Sequence, residues 1–185
     1  MSKKFLYGYD VNTYIDMAIE KMKYLYPWAT KEMFNKSREY RIEKINNEYE
    51  YVCIHKYNQE EDKKVLDVDA EGFIDYIIDM ESTSIEWANE VEDVFVVPGG
   101  EDKVNCGWYL ERYEIRKHKL GGYSVFVQAG DRTTGGSRTF FIPNDYFNNT
   151  YYEFLDKYIA LVPPSFGFTK EELQNADGLS EFLGF

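Results

Sequence analysis

The stretch from Asn105 to Pro143 leaves the chain the least freedom. It predicts a long strand from Tyr109 to Leu120, a turn at Gly121-Gly122, a strand from Tyr123 to Ala129, a glycine-rich loop, and a third strand from Arg138 to Ile142. Along the first strand Tyr109, Tyr113 and Ile115 fall on one face. Trp108, Leu110, Arg112, Glu114 and Arg116 fall on the other. A period of two marks a strand with one buried side. Gly-Gly between two such runs signals a hairpin, because tight hairpin turns need positive φ. The reading is an α+β fold: a central, mainly antiparallel sheet with helices packed on one face and at the ends, plus an N-proximal β-hairpin.

The flanking segments supply those helices and that hairpin. Asp10 or Asn12 caps a helix to about Tyr26, with Tyr14, Met17 or Ala18, Met22 and Leu25 as its stripe. Thr30 caps a short helix. Arg38–Ile45 and Glu48–Tyr57 form the hairpin, turning at Asn46-Asn47. Asn58 to Lys64 reads as a polar loop and Val65 to Val68 as a short strand. Asp69 caps a helix through Met80, Ser84 another through Val91, and Val94 to Val97 reads as a buried strand. Thr150 caps a helix to Leu161, Thr169–Glu172 is a capping box, and Asp177 caps a last turn. At 185 residues this suits a single domain over 1–185, with sub-lobes 1–58 and 59–185.

Charge is spread unevenly along the chain. Residues 1–44 hold nine Lys/Arg against six Asp/Glu, residues 45–102 three against seventeen, and residues 103–185 nine against ten. These blocks, +3, −14 and −1, make up the net −12. Phosphates repel such a mean field, so the chain reads as a poor general nucleic-acid binder and a good match for a basic protein. The 17 Tyr and 13 Phe read as half-buried sheet and helix faces rather than base-stacking platforms. Cys53 and Cys106 lack CxxC spacing, which points away from zinc and thioredoxin chemistry and toward two buried thiols in a reducing cytosol. No apolar run approaches ~18 residues, so no membrane span is expected.

Few residues suggest chemistry. Arg116-Lys117-His118-Lys119 lies near a hairpin tip, and Arg38, Arg41, Lys44 and Lys56 make the first hairpin basic. These are candidate RNA or phosphate contacts, weighed against charges that merely guard strand edges. His55 and His118 are the candidate catalytic residues. Metal-free RNA cleavage needs a base, an acid and a cation, and these histidines with Lys56 and Arg116 supply the types if the two hairpins adjoin. Glu60, Glu61, Asp62, Asp67 and Asp69 form the candidate acidic partner-binding surface. They read as solvated charge rather than a Mg²⁺ site, and no metal or cofactor is expected. Gly130–Arg138 lacks a P-loop's strand-to-helix context, leaving Arg132 and Arg138 as anion clamps.

The final third carries a resemblance. Gly136-Ser137-Arg138, Phe140-Phe141-Ile142-Pro143, Tyr146-Phe147, Glu153–Tyr158, Val162-Pro163, Phe166-Gly167 and Phe182-Leu183-Gly184 look like a module in small proteins of Gram-positive phages and mobile elements. That setting includes type II anti-CRISPR proteins, which inhibit Cas9. The similarity spans about residues 136–185 and brings over no active-site residue. It implies an inhibitor in the bacterial cytoplasm that binds Cas9 or its guide-RNA complex, by masking basic nucleic-acid-binding surface or by promoting guide truncation. A small metal-independent ribonuclease, and an acidic immunity protein that neutralises a basic toxin nuclease, are the alternatives.

Overall fold

The computed structural model describes residues 5–131, 134–142 and 149–185. Arg132 and Thr133 of the glycine-rich loop, and Pro143, Tyr146 and Phe147 of the resemblance, lie outside the described residues. The fold is α+β. The chain forms two compact units, Met1–Ala88 and Asn89–Phe185. The division falls well after residue 58, because the strand that follows that position pairs with the strand before it.

In the first unit, helix α1 (Val11–Met22) starts where the Asp10 carboxylate accepts the Asn12 N–H at 3.0 Å. Strands β1 (Arg38–Ile45), β2 (Glu48–Tyr57) and β3 (Glu60–Leu66) form an antiparallel sheet in the order β1-β2-β3. The hairpin thus belongs to a sheet of its own. Both turns use two residues of positive φ: Asn46 and Asn47 at 51° and 68°, Asn58 and Gln59 at 49° and 74°. That geometry matches the twist of the flanking strands.

Residues 60–64 therefore form a strand, not a loop. Glu60 to Val65 are all exposed, so no apolar alternation announces them. Alternation reports burial of side chains, whereas strand pairing rests on the main chain.

Helix α2 (Ala70–Ala88) is one helix where two were expected. Ser84 does not cap. Its neighbour Ser82 donates back to the Ile78 carbonyl at 2.6 Å, which satisfies the hydroxyl inside the helix. Phe73, Ile74, Ile77, Glu81 and Ile85 keep one buried stripe running through the expected break. That stripe and Tyr14, Ile15, Ala18, Ile19 and Met22 of α1 pack on Tyr40, Tyr51, Cys53 and Leu66 of the sheet. The Tyr51 and Phe73 rings stack at 4.3 Å. Burying each large side chain stabilises by roughly 1.5–3 kcal/mol.

The second unit is built on β4 (Val91–Val96), β5 (Val104–Asn105), β6 (Trp108–His118), β7 (Tyr123–Gly130) and β8 (Gly135–Ile142). The order is β4-β6-β7-β8, with β5 pairing the start of β6, and every pairing is antiparallel. β4 lies at an edge with Val94 and Val96 exposed, so it is not the buried strand expected; Phe95 packs against the core while half buried, and Val97, just past the strand, is buried in it.

Helices α3 (Tyr151–Leu161), α4 (Lys170–Gln174) and α5 (Leu179–Phe182) follow. Thr150 with Glu153 and Thr169 with Glu172 form capping boxes. The last turn is entered through Gly178 at φ 84° rather than capped by Asp177. Phe154, Leu155, Tyr158, Leu173 and Leu179 pack on Leu110, Tyr113, Ile115, Val125 and Val127.

The two-residue alternation of β6 breaks once. The pairing with β7 shifts between Leu110 and Arg112, a bulge at Glu111. The extra residue flips the parity, so Leu110 joins Tyr113 and Ile115 in the core while Tyr109 stands half exposed. Gly167 packs flat on Tyr113: a Cβ there would lie 2.0 Å from the ring.

Candidate partner-binding surface

Register places Glu39, Arg41 and Glu43 of β1 on the same sheet face as Val52 and Ile54 of β2, because directly paired residues share a side. Lys56 and Lys63 extend that face. The charges interlock. Arg41 Nε donates to Glu39 Oε1 at 2.6 Å and Arg41 Nη1 lies 3.6 Å from Glu43. Lys56 Nζ donates to Glu39 Oε2 at 2.6 Å, and Lys63 pairs with Glu43. Val52 and Ile54, on the same face, are buried. The Arg41 guanidinium first, and then the Lys56 ammonium, hold the Glu39 carboxyl down to about 2.

Arg38 occupies the opposite face. Its Nη1 donates to the Met80 carbonyl and lies 3.5 Å from Glu81. Glu81 is wholly buried. Tyr40 donates to its Oε1 at 2.5 Å and the Asn35 N–H to its Oε2 at 2.8 Å. Lys44 is exposed near the Asn46-Asn47 turn. Of the first hairpin's four candidate phosphate contacts, Arg38, Arg41 and Lys56 are thus committed to carboxylates.

The Arg116–Lys119 run meets the same end. Arg116 donates from Nε to Glu114 Oε2 at 2.8 Å and lies 4.1 Å over the Phe126 ring. Arg112 grips the other oxygen of Glu114, which is 1% exposed. Lys117 lies 3.6 Å from Glu92, and Lys119 pairs with Glu90. His118 is buried. Its Nδ1 is 2.6 Å from the Asn89 carbonyl, which only accepts, so Nδ1 carries the proton and Nε2 accepts from the Ser124 hydroxyl at 2.7 Å. Burial pushes this imidazole below its usual range. Both nitrogens are occupied, so no proton is on offer to a substrate.

His55 is half buried, with Nε2 3.5 Å from the Cys53 sulfur and its ring parallel to Tyr57. It belongs to the first unit and His118 to the second. Cys53 is buried, and burial raises its thiol; Cys106 is exposed rather than buried, and both are free.

The acidic candidates divide differently. Glu60, Glu61 and Asp62 stand exposed on β3, the outer strand of its sheet. Among the described residues no cation lies within ion-pair distance of them. Asp67 is exposed as well. Asp69 accepts the Gly72 N–H at 2.9 Å and serves as the cap of α2. Among the described residues no three His, Cys, Asp or Glu side chains gather to hold a metal ion, and no helix is long and apolar enough to cross a membrane.

Sequence reading missed the two buried carboxylates, Glu81 and Glu114. For Glu114 the signal was present: Arg112, Glu114 and Arg116 at alternate positions share one strand face. No protein-family model, no curated protein and no solved structure matches this chain.

Proposed function

We propose that the protein is a non-enzymatic binding protein whose acidic surface masks the nucleic-acid-binding surface of a basic partner. Cas9 or its guide-RNA complex is the concrete candidate, taken from the resemblance of residues 136–185. The observation that carries the reading is the contrast on the first sheet. Glu60, Glu61 and Asp62 stand exposed without cations on an open strand edge, while Arg41, Lys56 and Lys63 are already neutralised. Both units are acidic: residues 1–88 hold 12 Lys/Arg against 18 Asp/Glu, and residues 89–185 nine against 15, so each carries −6. Such a surface attracts a basic groove and repels RNA. Masking is favoured over guide cleavage at His118, which has neither nitrogen available.

The test is titration of Cas9 cleavage together with size-exclusion co-elution. Inhibition that weakens with rising salt and is lost in the Glu60→Lys/Glu61→Lys/Asp62→Lys triple variant supports the reading. No co-elution and no inhibition across orthologues ends it. A basic toxin nuclease offers the same chemistry, and a parallel titration against one separates the immunity reading.

A further inference from the structure

The core face of the second sheet runs on past its helices. At the end formed by β6, β7 and β8 it opens into a cleft of about 450 Å³. Leu110, Val127 and Ala129 line it from the sheet, with Trp108 and Phe166 beside them. The volume falls in the range of small-molecule sites. Among the described residues no carboxylate lines the cleft, although the unit as a whole is acidic.

Among the described residues its one charged group is Arg138. The guanidinium lies 4.9 Å from the Phe140 ring centroid and 4.8 Å from that of Phe166. Two rings therefore hold its plane in place. Among the described residues it has neither a hydrogen bond nor an ion pair. The other described arginines, Arg38, Arg41, Arg112 and Arg116, each sit on a carboxylate. In a chain of net −12, an arginine fixed by rings yet left without an acid is set to receive an anion from outside.

We propose that this cleft binds a small amphipathic anion: a carboxylate or phosphate gripped by Arg138, joined to a planar apolar body that lies on Leu110, Val127 and Ala129. The site does not depend on the acidic strand edge, so either reading can fail alone. A carboxylate and a phosphate meet the guanidinium fork in the same way, and separate probes tell them apart.

Isothermal titration of the full chain with 2-naphthoate, with 1-naphthyl phosphate and with neutral 2-naphthylmethanol tests it. One or both anions bind, and the neutral compound binds about tenfold more weakly or not at all. Arg138→Gln removes the preference for the anion. Gly136→Val provides a second variant that leaves Arg138 in place. A Cβ at Gly136 meets no atom within 4 Å, and Gly136 pairs with Ala129 on the cleft face, so the strand tolerates the side chain while the cleft fills. Binding of the anions is lost in that variant, with circular dichroism unchanged. Equal binding of the neutral compound, unaltered binding by Arg138→Gln, or no heat from either anion at about 1 mM overturns the proposal.

Discussion

In the 1–88 unit the buried polar side chains are wired together, whereas in the 89–185 unit two of the largest are not. Tyr51 donates to the Tyr14 hydroxyl at 2.7 Å, and Tyr40, Asn35 and Arg38 converge on Glu81. In the second unit the hydroxyls of Tyr113 and Tyr158 are buried without a hydrogen-bond partner among the described residues. Burial alone raises the Tyr113 phenol. The first core is specified by directional bonds, which tolerate no lost partner. The second is specified by shape: Gly167 and Phe168 close on the Tyr113 ring, and the hydroxyl at its tip is carried as an unsatisfied group.

The sharpest way to break the comparison is Gly167→Ala. A Cβ at this position would lie 2.0 Å from the Tyr113 ring, so the ring or the backbone must move. A loss of about 4 kcal/mol or more in denaturant unfolding is expected; a loss below ~1 kcal/mol would show the second core to be pliable. Next is Glu81→Ala, which strands Arg38 and the Tyr40 hydroxyl in the first unit. It should lower stability by about 3 kcal/mol, with exchange of α2 and β1 amides rising while β6 and β7 stay protected.

Two Tyr→Phe changes then separate the units directly. Tyr51→Phe breaks a buried bond and should cost about 1 kcal/mol. Tyr113→Phe removes an unpartnered hydroxyl and should be neutral or stabilising. Equal losses in the two variants would erase the distinction.

A smaller effect is pH-dependent. His118 has its folded-state pKa below the usual 6.5, so the unfolded chain takes up a proton first. Its contribution is present above 6.5 and shrinks as pH falls through that value toward the folded pKa. Protection of the β6 and β7 amides, taken relative to the intrinsic exchange rate at each pH, should fall between pH 7.5 and 5, and His118→Gln should flatten that trend. The smallest change is expected from Lys56→Ala. Its ion pair with Glu39 is largely exposed, so unfolding should shift by no more than about 0.5 kcal/mol.

Local signals placed most elements. Asp10, Thr150 and Thr169 start helices because a side-chain oxygen within a few residues meets an orphan N–H. Asn46-Asn47 turns a hairpin because asparagine tolerates positive φ. The misses share a cause. β3 is held by main-chain pairing that its exposed side chains do not reflect, and α2 runs through Ser84 because its stripe stays buried on a distant sheet. The Arg116–Lys119 run reads as one cationic tip in the sequence, yet it becomes an arginine on Glu114, two lysines on Glu92 and Glu90, and a buried histidine.

Composition, caps and periodicity were enough for the α+β class, the helix starts at Asp10, Asp69, Thr150 and Thr169, and the net negative charge, since none of these needs contacts between distant segments. Where that charge stands free depended on folding. The acid-rich block at 45–102 supplies Glu71 and Asp75 to Lys21, Glu81 to Arg38, and Glu90 and Glu92 to Lys119 and Lys117. Carboxylates far along the chain come within ~4 Å of the cations, where pairing outweighs any field read from linear order. Among the charges left over in the described residues are the open edge at Glu60–Asp62 and the guanidinium of Arg138, both created by which side chains the folded chain left without partners.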